Sequence, residues 1–230
     1  MENQTLILVH GRHLQTQDWE TLVWGSGNRI GSAPLGLYLA VSMNGQLFFG
    51  TGASEKDGVP ECVYTHRFLG DNLSRLTQFP EFLGFGVLGP EWLREVLTPR
   101  LEEAHLDAES RNTYEEIRNA IGLARTVGAD QIVQVTSPGH VARCANTTAM
   151  LIENSNLNDI RFMVVSSRSS TEGFCAAHTV VFEHPHRGDD PMISAELMPH
   201  QVFPRIFRLS PERRRVLFSN LDTLLMKEGV

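Results

Sequence analysis

The sequence predicts an α/β protein: a Rossmann-like three-layer α/β/α sandwich built on a mostly parallel sheet. Three observations lead there. Short apolar runs recur at residues 5–9, 46–49, 132–135 and 160–165, and they are continuous rather than alternating, as strands covered on both faces require. Helix-like stretches lie between most of them, and strand–helix alternation implies right-handed crossovers and a parallel sheet. At residues 131–143 a β-branched run passes directly into a helix start, Gln-Ile-Val-Gln-Val-Thr-Ser-Pro-Gly-His-Val-Ala-Arg.

That last stretch is the centre of the reading. Ser137 suits an N-cap and Pro138 the first helical position, where its missing N–H costs nothing. The helix is expected from residue 138 to about 153. Its first turn offers unpaired N–H groups and a positive dipole end, which favour an anion. His140 and Arg143, three apart, share one face of that turn. Thr136 and Ser137 add hydroxyls beside them.

Earlier elements follow the same alternation. The first strand, residues 5–9, runs into His10-Gly11-Arg12-His13, where a ligand loop would lie. Residues 29–43 are expected to be helical, with Pro34 kinking the helix or delaying its start. A second strand, 46–49, ends in Gly50-Thr51-Gly52-Ala53-Ser54, small residues that let backbone approach a ligand. A helix is expected over 60–69 with Glu61 in its first turn. Residues 70–99 are less regular, with a short helix expected at 91–97; the stretch from about 74 to 98 could be a lid, a dimer contact or a packed excursion.

A polar third strand is expected at 103–107. Asn112 followed by Glu115 resembles a capping box and starts a helix to about Val127, ended by Gly128. Strands at 160–165 and 178–182, a His184–Asp190 loop and a helix at 211–227 capped by Ser210 complete the chain. The expectation is one domain over residues 1–230, with a C-terminal helical extension from about 200. The run Arg213-Arg214-Arg215 reads as the solvated face of that last helix.

Composition sets limits. Apolar residues are 41% and charged residues 20% of the 230, with net charge −7 and pI near 5.7, ordinary for a globular protein. An acidic balance argues against nucleic acid or an anionic membrane as partner, while leaving room for a small anionic metabolite held by a few local cations. Cys62, Cys144 and Cys175 are isolated, so neither a disulfide framework nor a zinc site is indicated. No apolar stretch reaches the roughly 18 residues that span a bilayer. Met1-Glu2-Asn3-Gln4 lacks the basic start of a secretory leader, so the cytoplasm is the expected compartment.

In a doubly wound sheet, ligands bind beyond the carboxyl ends of the strands, where strand order reverses. The loops at that end bring His10, Arg12, Gly50, Thr51, Gly52, Glu109, Asn112, Thr113, His140 and Arg143 toward one crevice. Leu6 to Val9, Arg29-Ile30, Gly50-Thr51-Gly52 with Glu61-Cys62, Asn112-Thr113-Tyr114-Glu115 and the segment from Val135 to Arg143 together resemble the YdcF-like domain family, which includes the SanA and ElyC proteins. The resemblance covers about residues 5–170. It implies a Rossmann-like fold and a nucleotide-linked or S-adenosylmethionine-binding role. Thr51 stands where that family usually has glycine and Cys62 where it usually has alanine. Unlike the envelope members of that family, this chain is expected to carry no membrane anchor.

Two functions follow as expectations. The first is an enzyme, a hydrolase or transferase, acting on a phosphorylated or nucleotide-like molecule. His140 and Glu109 would be its catalytic residues, with His140 as acid or base. Arg143 would clamp an anionic oxygen, and His10, Arg12, Gly50, Thr51, Gly52, Glu61, Asn112, Thr113, Thr136 and Ser137 would bind the ligand. The second is a module that binds a nucleotide or S-adenosylmethionine without chemistry. His10-Gly11-Arg12-His13 lacks the glycine pattern of a dinucleotide loop, which disfavours methyl transfer. A metal-dependent hydrolase using His10, His13, His184, His186 and Asp189 or Asp190 is a weaker alternative, because no H-E-x-x-H fingerprint occurs; no metal is expected. No G-x-S-x-G elbow supports a serine hydrolase.

Overall fold

A computed structural model describes residues 4–83, 90–155, 157, 159–169, 206 and 209–227. The chain divides into two units, Met1–Phe174 and Cys175–Val230. The first is the Rossmann-like α/β sandwich. Five strands form its central sheet: β1 (Gln4–Val9), β4 (Gln46–Phe49), β7 (His105–Leu106), β8 (Ala129–Thr136) and β9 (Arg161–Ser166). Their spatial order is β7-β4-β1-β8-β9, and every pairing is parallel. Strand order therefore reverses between β1 and β8, where the first and fourth strands of the sheet lie side by side.

Period-two alternation divides the strand side chains between two apolar layers. Ile7, Val9, Leu47, Phe49, Val133 and Val135 point to one side, against α2 (Ser32–Ser42), α3 (Glu61–Asp71) and α5 (Pro90–Glu102). Leu6, Leu8, Phe48 and Ile132 point to the other, against α6 (Thr113–Val127) and α7 (Val141–Ser155). Both faces of β1 are buried from Thr5 onward, which accounts for its unbroken apolar run.

Several boundaries differ from expectation for local reasons. Residues 29–43 are not one helix. Arg29–Ile30 is a short strand, β3, that pairs antiparallel with β2 (Gly25–Ser26), and the helix begins at Ser32. Pro34 falls in its first turn, where the backbone N–H it lacks would have no intrahelical partner. The third strand shrinks to two residues. Conversely, the helix expected at 91–97 extends over Pro90–Glu102 with Pro99 inside it. Pro138 opens a 3₁₀ turn, Pro138–His140, and α7 starts only at Val141.

The irregular segment after α3 is a packed excursion where it is described. Its 3₁₀ turn (Leu73–Gln78) and α4 (Pro80–Leu83) send Phe79 and Phe82 into the core, both fully buried. Phe79 packs on Trp24, which itself follows α1 (Trp19–Val23), and Phe82 meets Tyr38 edge-on. A two-stranded ribbon, β5 (Glu55–Lys56) with β6 (Val59–Pro60), precedes α3. Residues 84–89, the strand expected at 178–182 and the His184–Asp190 loop lie outside the described residues.

In the second unit, α8 (Pro211–Lys227) has the expected bounds. Ser210 Oγ accepts from the Arg213 N–H at 3.4 Å. No helix among the described residues is long and apolar enough to cross a membrane.

A core position in the excursion behaves differently from a lid. Phe79→Ala is expected to cost about 3–5 kcal/mol, the range for emptying a large buried aromatic site, measured by urea unfolding. A loss below about 1 kcal/mol would mean that the segment is not part of the core.

Candidate functional site

Loops at the carboxyl ends of β1, β4, β7 and β8 are joined by backbone bonds. The Gly50 N–H donates to Val9 O, the Asp107 N–H to Phe49 O and the His10 N–H to Val135 O, each at 2.9–3.0 Å. The crevice floor is therefore continuous with the sheet.

At its centre lies His10, fully buried at the end of β1. Its Nδ1 is 2.6 Å from Glu116 Oε2 and its Nε2 is 3.0 Å from Gln134 Oε1. Glu116 belongs to the first turns of α6, where a carboxylate interacts favourably with the helix dipole. Its other oxygen accepts from the Gly11 N–H at 3.4 Å. Gly50 presses on the same carboxylate: a Cβ at that position would stand 2.9 Å from the Glu116 side chain. Burial lowers the His10 pKa, but Cys144 and the Glu116 carboxylate outweigh it through charge and hydrogen bonds, holding it well above the usual histidine value.

His140 lies beside His10, the two rings edge-on with centroids 5.7 Å apart. Thr136 Oγ1 is 3.0 Å from His140 Nδ1, and Thr113 Oγ1 is 3.1 Å from its Nε2. Hydroxyls both donate and accept, so this pair accommodates either neutral tautomer and the imidazolium. Thr113 is placed by the start of α6, where Asn112 Oδ1 accepts from the Glu115 N–H at 2.9 Å and Glu115 Oε2 accepts from the Arg111 N–H at 2.8 Å. Asn112 is thus a cap that holds its neighbour in place. Arg143 is buried on the first turn of α7.

A second carboxylate locks the loop after β1 to α3. Glu61 takes hydrogen bonds from the Arg12 N–H, from Trp19 Nε1 at 3.3 Å and from Ser54 Oγ at 2.9 Å. Burial raises its pKa to about 8, against the pull of those donors. Burial also lowers the Arg12 pKa, opposed by Glu61 and Asp18, and Arg12 Nη1 reaches Ser137 Oγ at 3.5 Å. Cys62, next to Glu61, is pushed up to about 11 by burial, which leaves a thiol rather than a nucleophilic thiolate at neutral pH.

The Gly50–Gly52 loop is strained and tightly tied. Thr51 has φ +81°, a left-handed conformation costly for a β-branched residue. Its N–H donates to Ser110 Oγ at 3.1 Å and its carbonyl accepts from the Cys62 N–H at 3.1 Å. A Cβ at Gly52 would stand 1.7 Å from the Ala108 carbonyl oxygen, so only glycine fits there.

His10, Arg12, Gly50, Thr51, Gly52, Glu61, Asn112, Thr113, Thr136, Ser137, His140 and Arg143 all lie at this end of the sheet. Glu109 shares the loop after β7, but it is exposed, and the carboxylate that reaches an imidazole is Glu116. His13 stands apart, hydrogen-bonded to Gln15. Sequence reasoning missed Glu116, Gln134 and Thr148. Gln134 offered a signal, as the one polar residue within Ile132-Val133-Gln134-Val135. Glu116 offered another, three residues after Thr113 and so on the same helix face. Among the described residues no group of three or more His, Cys, Asp or Glu is arranged to hold a metal. A cleft of about 550 Å³ between α3 and α5, lined by His66, Arg67, Arg94 and Leu101 among others, contains none of the crevice residues. Comparisons of the chain with protein-family models, curated proteins and solved structures find no match.

Both buried ionisable groups make stability fall as pH rises. Below the unfolded value near 6.5 the raised His10 contributes fully, and that contribution is lost as pH climbs through its folded value. Glu61 holds extra protons in the folded state between about 4.5 and 8, so its contribution declines across that window. Urea unfolding from about pH 5 to 9 should show this fall, and Glu61→Gln should flatten it below about pH 8. An unaltered profile in the variant would remove Glu61 from the account. Thr51→Gly should raise stability by about 1–3 kcal/mol by relieving the left-handed strain, read from the urea midpoint; a loss would show that the threonine contacts outweigh it.

Proposed function

We propose that this crevice binds a small phosphorylated or nucleotide-like molecule and that the protein is an enzyme, a hydrolase or transferase, acting on it in the cytoplasm. The observation that carries the reading is the meeting, at the β1/β8 reversal, of Arg12, His140 and Arg143 with the start of α7. Guanidinium groups match phosphate oxygens bidentately, and the strand-order reversal is where α/β sheets take their ligands. His140 is suited to proton transfer because hydroxyls on both sides can exchange a proton with it. The YdcF-like resemblance is part of the proposal and is consistent with the crevice residues.

A second reading is a non-catalytic module that binds a nucleotide or S-adenosylmethionine. It is favoured by the same hydroxyls, since an imidazole with both nitrogens engaged can serve as a fixed support. A metal-dependent hydrolase is less well supported, because both nitrogens of His10 are already engaged and His13 faces Gln15.

A thermal-shift panel of nucleotides, sugar nucleotides, phosphorylated metabolites and S-adenosylmethionine tests the reading on wild type and Arg143→Ala. A ligand at about 100 times its Kd stabilises by roughly 2.7 kcal/mol, a shift of roughly 5–11 °C for a protein of this size. The shift should appear in wild type and vanish in the variant, and turnover of that ligand separates enzyme from binding module. A shift unchanged in Arg143→Ala would move the ligand away from α7.

A further inference from the structure

We propose that His10 is a fixed imidazolium, held doubly protonated by a directed chain of hydrogen bonds, and that it serves the crevice as a positioning cation while His140 keeps the exchangeable proton. The division of roles between the two imidazoles rests on the phosphate-binding reading above; the protonation of His10 does not.

The chain begins away from the ring. Thr148 Oγ1 donates its single proton to the Cys144 carbonyl at 2.8 Å. That hydroxyl can then only accept from Gln134, whose side chain lies 2.7 Å away. Gln134 must turn its NH₂ toward Thr148 and its carbonyl oxygen toward His10. An oxygen 3.0 Å from Nε2 requires a proton on that nitrogen. On the other side, the Glu116 carboxylate 2.6 Å from Nδ1 requires a second proton. A neutral imidazole would set a lone pair against one of these oxygens, or would need Glu116 to carry the shared proton as a carboxylic acid, the alternative that the ring ¹⁵N shifts distinguish. Flipping Gln134 would instead oppose its oxygen to a hydroxyl whose proton is already used.

The ionisable groups facing His10 are Glu116 from α6, Cys144 from α7 and His140 from the 3₁₀ turn, and Glu116 in turn interacts by charge with Glu61. The raised His10 pKa has Cys144 and Glu116 as its causes and agrees with the Glu116 end of the chain. Since both N–H groups are committed to fixed acceptors, His10 is not placed to shuttle a proton. Its charge sits beneath the crevice, and its two bonds hold β1 to α6 and β8. The neighbouring His140 has the Thr136 and Thr113 hydroxyls at its two ring nitrogens, groups that can donate or accept.

Histidine ring ¹⁵N shifts, followed without ligand from about pH 6 to 9, decide the matter. One of the nine histidines, assigned to His10 through contacts with the Gly11 amide, should keep both ring nitrogens protonated at pH values where an ordinary histidine has lost its second proton. In Thr148→Val, Gln134 is released to flip, and the second proton should leave at least tenfold more readily, a midpoint about one unit lower. Thr148→Ser, which keeps the hydroxyl, should behave as wild type. A His10 that is singly protonated at pH 7 in wild type overturns the proposal, as does an unchanged midpoint in folded Thr148→Val. If Thr148→Val does not fold, the wild-type spectrum alone decides. Because no ligand is present, failure here leaves the phosphate reading standing, and absence of any ligand shift leaves this assignment standing.

Discussion

The contact between His10 and Glu116 is the constraint on which the site depends. It joins the end of the central strand to the first turns of α6, across the point where strand order reverses. Burying either partner alone would leave an uncompensated charge or an unsatisfied polar group in the core, at a cost of about 3–5 kcal/mol. Together, with Gly11 and Gln134 completing their hydrogen bonds, they form a satisfied network. Gly50 has no side chain because this carboxylate occupies the space where one would be.

A second network does the same for the neighbouring loop. Glu61 gathers Arg12, Trp19 and Ser54, so the segment after β1 is held from two sides, by Glu116 through Gly11 and by Glu61 through Arg12. The groups suited to ligand contact, His140, Arg12 and Arg143, stand on this frame. Polar side chains buried at such density are expensive unless every member is paired, and they make the geometry unique where an apolar core would only make it compact.

Much of the fold was legible in the sequence because its signals are local. The continuous apolar run at Leu6 to Val9 marks a strand buried on both faces, and Asn112 with Glu115 marks a helix start that the structure reproduces as a cap. Length was harder to read: β7 keeps two residues because α5 runs on to Glu102 and its last bonds take in the N–H groups of Glu103 and Ala104, which nothing within residues 103–107 records. The crevice was legible as a set of loops at one end of the sheet. Its internal pairing was not, since Glu116 and His10 are separated by 106 residues and only the crossover geometry brings them together. Glu109 was the natural candidate from loop position, whereas the acid that contacts His10 sits in the first turn of the next helix. The 3₁₀ turn at Pro138 has a similar origin: with proline first and glycine second, the tighter turn places His140 between Thr113 and Thr136.

The left-handed Thr51 has a consequence for how the crevice would meet the ligand proposed for it. A glycine there would sample several backbone states in the empty protein and lose them on binding. A β-branched side chain has few conformations open to it, and Ser110 and Cys62 already hold its N–H and carbonyl. The loop therefore pays its ordering entropy during folding rather than on encounter. On the proposed reading, a ligand arriving at this rim would meet a loop already ordered, so association would not wait for the loop to settle.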